Sequence, residues 1–555
     1  MNRNLLSATA LVFGFAPALV AAQTLPPTPI DPHRLSQVDR ELSSDAFEGR
    51  GPASRAEPKV IAYISHKFSA LGLKPGGANG VWTQNVPMRR FSLTGRVQLS
   101  VRHGSDTRAL IQGTDIVAMT EVPVGSINIA DAPLVFCGYG VKAPERGWDD
   151  FKGTDLRGKI MVVLINDPDF EAATSDAAYG KFDGKAMTYY GRWTYKFEEA
   201  ARQGAAGVLI IHETGPAAYG WGVVKNSNTI PQFDIVRTHP EQEHPPLQGW
   251  VTRETGATLL KAAGLDLDTL KQSARQADFK PIPIDGVTFS AHYGVKVDAV
   301  VTHNIIGVLP GVKHPHETLL YSAHWDHLGI GPADAKGDKI YNGALDNASG
   351  VSGMLELARL FAHGKRPDRT VAFIALTAEE KGLLGSEYYA LNPVFPIATT
   401  VADLNLDGLQ IHGAAHNVAV SGVPKNALVD MLTAGAEGQG RTFTPDPHPE
   451  QGHFYRADHF SFAKVGVPAV TLDAGNDLFV GGVAAGEAAA RDYVEHHYHQ
   501  PSDEWSPAWD WRGAAIDLAI YYEMGQRLAN SRDWPSWQTG SEFKARRDET
   551  AGTRK

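Results

Sequence analysis

The chain has 555 residues, 43% hydrophobic and 21% charged, with a formal net charge of −10. That length exceeds one ordinary core and predicts two or more domains. An acidic balance with no Lys/Arg-rich block argues against a nucleic-acid partner.

Residues 1–22 place Arg3 ahead of a short apolar stretch that ends in Val20, Ala21 and Ala22. This reads as an export signal cut near Ala22; the short apolar core, broken by Pro17, argues against a membrane anchor. No other stretch is apolar for long enough to span a bilayer, so no stable membrane insertion is expected. The single cysteine, Cys137, lies in the apolar run APLVFCGYG. It can form no internal disulfide and is a poor candidate for a thiolate ligand or nucleophile. An exported chain without disulfides fits a bacterial periplasm or the surrounding medium.

A proline-rich lead-in, LPPTPIDPH, precedes PKVIAYISHKFSALGL. There Ile61, Ile64, Phe68 and Leu71 recur at helical spacing until Gly72 and Pro75 stop them. From about Ser92 to Val295 short β-rich runs (APLVFCGYG, KIMVVLI, AGVLIIH) alternate with long loops, and TYKFEEAARQGAAG predicts a helix. From about Lys296 onward, apolar runs alternate with helical patterns. One helix follows GALDNASG, with Val351, Met354, Leu355, Ala358 and Phe361 on one stripe. A late helix, WRGAAIDLAIYYEMGQRLAN, closes the layer, and the last residues, 541–555, predict a polar, frayed tail. This alternation predicts an α/β fold: a largely parallel, mixed sheet covered by helices on both faces. The expected organisation is a domain built from residues 23–95 plus 296–540, with 96–295 as a β-rich insert.

In such sheets, sites form beyond the carboxyl ends of strands. There LLYSAHWDH supplies His324 and Asp326, YNGALDNASG supplies Asp346, FIALTAEE supplies Glu379 and Glu380, ADLNLDG supplies Asp407, and EHHYHQPSDEW offers His499. Singly, each has a plain explanation: Asp346 or Asn347 as a helix N-cap, Asp407 as a turn residue, a histidine in a solvated loop. Together, so many carboxylates at one sheet end would repel one another unless a cation were present. Imidazole with carboxylate suits zinc, and one carboxylate can bridge two metals. Asp326 is placed to orient a ligand histidine, with Trp325 pointing the other way on an extended chain. By the same geometry, the neighbouring Glu379 and Glu380 should face opposite sides.

The segments SAHWDHLG, NGALDNASG, TAEEKGLLGS, NLDG, YRADHFSFAKVGVPAV and YHQPSDEW, in that order, resemble the co-catalytic zinc exopeptidases of peptidase family M28. LSSDAFEGRGP resembles the family's segment ahead of its insertion. The resemblance implies two zinc ions, replaceable by cobalt or manganese. Asp346 would bridge them, with His324 and Asp407 on one ion and Glu380 and His499 on the other. It makes Glu379 the general base and Asp326 the carboxylate behind the first histidine. His496 and His497 are rivals to His499, but the YHQPSDE context selects His499. GYGVKAPERGWDDFKGTDLRGKIMVVL with AARQGAAGVLIIHE resembles a protease-associated domain inserted in the peptidase domain. The implied activity is hydrolysis of the N-terminal bond of a peptide substrate. The alternatives are a carboxypeptidase for acidic peptides, with Arg456 as a candidate cation, a glutaminyl cyclase-like acyltransferase, and a catalytically silent receptor-like protein. A serine hydrolase is disfavoured because no G-x-S-x-G occurs. Nothing in the sequence signals an oligomeric state.

Overall fold

A computed structural model describes residues 25–422 and 424–554. The expected export signal, 1–22, lies outside them.

The strand His314–His324 lies between Arg369–Leu376 and Thr400–Leu406 and is parallel to both. Thr400–Leu406 in turn pairs in parallel with Ala469–Asp473. Apart from the first four residues of His314–His324 and the last of Ala469–Asp473, these four strands are buried, so they read as near-continuous apolar runs, as strands covered on both faces do. The cover includes Gly350–His363, whose expected stripe of Val351, Met354, Leu355, Ala358 and Phe361 is fully packed in the core. Each such large side chain contributes about 1.5–3 kcal/mol by leaving water. The expected helices at Glu57–Ala70 and Arg512–Asn530 pack into the same core.

A second core gathers around strands Ile160–Leu164, Gly207–His212 and Leu247–Thr252, which are mutually parallel. Two long strands join the cores. Ile282–Leu309 pairs with Arg369–Leu376 at one end and with Ser126–Phe136 at the other, and Thr83–His103 runs antiparallel beside it. Residues 95 and 296, where the texture of the sequence changes, therefore sit inside a continuous ribbon. Val295 pairs with Leu93 and Lys296 with Ser92. The helix expected within TYKFEEAARQGAAG forms at Trp193–Arg202.

The C-terminal tail departs from expectation. Lys544–Asp548 is helical, and the Arg547 side chain is buried. Its guanidinium donates to the carbonyls of Thr400 and Val401. A composition that reads as solvated hides an arginine that satisfies backbone acceptors at the start of a core strand, and local polarity carries no sign of that distant partner.

Candidate metal centre

Parallel register assembles the site. His324 is paired with Leu376 at the carboxyl end of the central strands, so Glu379 lies three residues beyond that edge. Asp407 is the first residue after the neighbouring strand Thr400–Leu406. His324 Nε2 lies 3.1 Å from Asp407 Oδ1, 3.3 Å from Asp346 Oδ1 and 4.0 Å from Glu379 Oε2.

Asp346 is free to face this cluster because its neighbour does the capping. Asn347 Oδ1 accepts from the amides of Gly350 and Gly408, while its Nδ2 donates to Leu406 O. A side chain at position 350 would not fit, since its Cβ would stand 2.1 Å from Asn347 Oδ1. Asp503, from the PSDEW segment, accepts the amide protons of both Leu345 and Asp346. Arg50, from the EGRGP segment, is buried and donates to the carbonyls of Leu42, Trp325, Asn342 and Gly343. It ties the His324 loop to the Asp346 loop. These two supporting residues were missed by the sequence reading, although both lie in segments it had singled out.

Glu379 and Glu380 are not on an extended chain. Ala378 adopts the left-handed conformation, φ 53°, and a single 3₁₀ turn spans Glu379–Lys381. Successive residues of such a turn are rotated by about 120°, so the two carboxylates still diverge, by a helical rather than an extended geometry. Glu380 Oε2 stands 3.0 Å from His499 Nε2, while Glu379 faces His324. The amide of Glu379 donates to Asp326 Oδ1 at 3.1 Å. The Asp326 carboxylate is 3.8 Å from His324 Nδ1, which instead meets the Asp326 carbonyl oxygen at 3.1 Å. Asp326 thus anchors the Glu379 turn as well as the histidine. Trp325 turns away into the core, its indole donating to His303 O.

His499 Nε2 is 3.0 Å from Glu380 and 3.4 Å from Asp346 Oδ2. Its other ring nitrogen meets Ser227 Oγ at 2.8 Å, and Asn226 Nδ2 donates to its carbonyl oxygen. Both partners come from the helix Trp221–Asn228, within the 96–295 segment. His496 and His497 lie apart, with side chains 62% and 38% exposed, and meet Asp492.

A residue the sequence reading passed over is His327. It is fully buried, with Nδ1 2.5 Å from Glu380 Oε1 and 3.9 Å from Asp346 Oδ2. His324, Asp346 and Asp407 offer donor atoms within 4.8 Å of one another, and so do His327, Asp346 and Glu380. Asp346 is common to both groups. The spacings separate the two histidines near Glu380. Ligand atoms about 2.0–2.1 Å from a tetrahedral zinc lie about 3.3 Å apart. His499 meets that spacing to both carboxylates, whereas His327 Nδ1 stands 2.5 Å from Glu380, too close for two ligands of one such ion.

The charges also fit a cation. Burial pushes Glu379 well above the carboxylate range, helped by Asp407 and Glu380 and opposed by His324. Burial disfavours charge on His499, yet Glu380 and Asp346 raise it to about 9. His324 is raised well above the usual imidazole range, its burial outweighed by Glu379 and Asp407. Both imidazoles are drawn towards protonation by the carboxylates around them, and a metal cation would take the place of those protons. His499 Nε2 and both ring nitrogens of His327 are buried without a hydrogen-bond partner, as nitrogens beside a metal would be. The residues present therefore fit a metal centre.

Ser227→Ala should weaken one of two bound metals about tenfold, the cost of losing a ligand's orienting partner. Zinc titration monitored by calorimetry would show it, and an unchanged isotherm would remove Ser227 from that role.

Residues 304–522 match Peptidase family M28. Over 103 residues, 19% of this chain and 23% of the other, the chain is 41% identical to a probable zinc metalloprotease of Pyrenophora tritici-repentis. It is 40% identical over 90 residues to aminopeptidase YwaD of Bacillus subtilis, covering 16% of this chain and 17% of that one. The chain thus spans less than a quarter of the length of these curated relatives. Across 90% of its length it shares the fold of an aminopeptidase from Aneurinibacillus sp. strain AM-1, with 94% of that chain covered, TM-score 0.52 and 21% identity.

Proposed function

We propose, from the Peptidase family M28 domain that residues 304–522 form, that this protein is a two-zinc exopeptidase that removes the N-terminal residue of peptides. The observation that carries the reading is the convergence of His324, Asp346, Asp407, Glu380 and His499 at one sheet edge, with Asp346 shared and Glu379 beside it. His324 and Asp407 would hold one ion, Glu380 and His499 the other, and Asp346 both. When bound, the ions would polarise the scissile carbonyl and lower the pKa of the attacking water. Glu379 takes a proton from that water and delivers it to the departing amine nitrogen. Asp326 fixes the Glu379 turn through its amide, so that the base stays aimed at the reaction centre. Ser227 orients His499 from behind, and His327 packs against Glu380. Glu379 and Glu380 line the cavity, and an acidic wall favours a free, cationic α-amine.

On the same footing we read residues 1–22 as an export signal and the 96–295 segment as a protease-associated insert. A panel of chromogenic aminoacyl substrates and N-blocked peptides, assayed with and without a chelator, tests the reading. Free-amine substrates should be cleaved, and the chelator should abolish turnover. Cleavage of blocked peptides alone would replace it with a carboxypeptidase or endopeptidase, and indifference to the chelator would exclude a metallopeptidase.

A further inference from the structure

One short strand of the 96–295 segment, Gln232–Ile235, lies against the Glu379 turn. Phe233 and Ile235 share an apolar cluster with Ala378, the left-handed residue before Glu379, and with Leu384, the first residue of the helix that follows. Turn and helix are stitched together. The amides of Gly382 and Leu383 donate to Glu379 O, and that of Leu384 donates to Ala378 O. Whatever holds the helix Leu384–Leu391 therefore also holds Glu379.

A chain of ion pairs reaches the same helix. Arg237 donates to both Glu387 oxygens, at 2.9 and 3.1 Å, and through Nε to Asp234 at 2.9 Å. Such a bidentate pair fixes geometry as well as charge. Among the described residues, Arg237–Glu387 is the only ion pair between 96–295 and the rest of the chain. Behind it, His244 Nε2 lies 3.1 Å from Asp234 Oδ2 and His244 Nδ1 lies 3.1 Å from Glu121 Oε2. These five side chains are between 4% and 20% exposed.

His244 thus faces a carboxylate with each ring nitrogen. An ionised carboxylate only accepts, so both nitrogens donate and the ring carries a charge; a neutral ring could serve one partner alone. Without that proton, Glu121, Asp234 and Glu387 would be left with one guanidinium, and with Lys381 as the other cation near Glu121. Glu243 adds negative charge towards Arg237. Burial and Arg237 disfavour charge on His244, but Glu121 and Asp234 outweigh them and raise its pKa above the ordinary imidazole value. Burial also raises Glu121, with His244 opposing it, so low pH removes that carboxylate as a partner. Gln248 Nε2 lies 3.0 Å from His244 Nδ1, while its Oε1 is buried without a partner. A half-turn of this amide exchanges the two atoms, so one side chain can donate to the neutral ring or accept from the charged one.

We propose that Arg237 and His244 are positioning residues, through which the 96–295 segment clamps the Glu379 turn only while His244 is protonated. Loss of the proton loosens the clamp, so the aim of the base depends on pH at a site outside the metal centre. The His244 contribution is complete below about pH 6.5, the ordinary imidazole pKa, and is lost as pH rises through the higher value in the folded chain. The proposal rests on the exopeptidase reading only in treating Glu379 as the base.

Exchange of the histidine C2 proton, followed by mass spectrometry on the unaltered protein, reads the His244 pKa without any substitution. A value above about 6.5 is expected, and one at or below it would overturn the proposal. Amide exchange at Gly382, Leu383 and Leu384, corrected for the intrinsic rate, should quicken in wild type as pH passes that value. In His244→Gln and Arg237→Gln it should be quick at every pH, and Arg237→Lys should restore part of the protection. Equal protection in all four proteins, independent of pH, would sink the clamp. With a chromogenic aminoacyl substrate, both glutamine variants should lower kcat about tenfold to 100-fold near neutral pH, as a misplaced base does, with little change in KM. His244→Gln should also flatten the alkaline limb of the kcat profile, and an unchanged limb would overturn the pH link. If no peptide is cleaved, the exopeptidase reading fails, while the two exchange measurements still decide the clamp.

Discussion

Glu379→Gln should lower turnover by about 10²–10⁴-fold, the usual contribution of a positioned general base, while two zinc ions stay bound. The amide side chain keeps the shape of the carboxylate but cannot accept a proton. Its geometry supports both halves of the expectation. Glu379 Oε2 is 4.0 Å from His324 Nε2, farther than Asp346 or Asp407, so it stands beside the donor cluster rather than within it. The turn that carries it is held by the Asp326 carboxylate through the Glu379 amide, a contact that the substitution leaves alone. Single-turnover kinetics and metal analysis on the same preparation would check the result. Full activity would remove Glu379 as the base, and loss of a metal would make it a ligand.

Asp346→Ala should have the broader effect. Its two oxygens face different histidines, Oδ1 at 3.3 Å from His324 and Oδ2 at 3.4 Å from His499. Burial alone would raise its pKa, but the two imidazoles beside its oxygens hold it well below the carboxylate range. The substitution removes the acceptor common to both groups and leaves two buried imidazoles facing each other's carboxylates. Metal content should fall from two ions to fewer than one per chain, with weakening of about 100-fold or more at each position and activity lost with it. His499→Ala should release only one ion. Elemental analysis after dialysis distinguishes these outcomes, and two ions retained by Asp346→Ala would mean that no shared ligand exists.

Much of the fold was legible because its signals are local. The stripe on Gly350–His363 and the apolar runs of the central strands follow from periodicity, and strand ends then mark where polar residues cluster. Other features gave no local sign. The Ala378 conformation that turns Glu379 and Glu380 apart falls on a residue that rarely adopts it. His327 reads as one more histidine in HWDH until burial against Glu380 gives it a partner. The tail arginine, Arg547, looked solvated because its acceptors lie about 150 residues away in sequence, on Thr400 and Val401.

The sequence by itself determined which residue types stand at the strand ends, and the crowding of carboxylates there already demanded a cation. It also determined the order of the motifs, from which the five candidate ligands and the base were named. Only the tertiary structure decided how these groups face one another, because parallel register brings His324, Glu379 and Asp407 to one edge from positions 83 residues apart. It alone placed Ser227 and Asn226 against His499. Those contacts join a segment with no catalytic signature to the reaction centre, and they depend on a long antiparallel ribbon folding one core against the other, a non-local event that no spacing along the chain encodes.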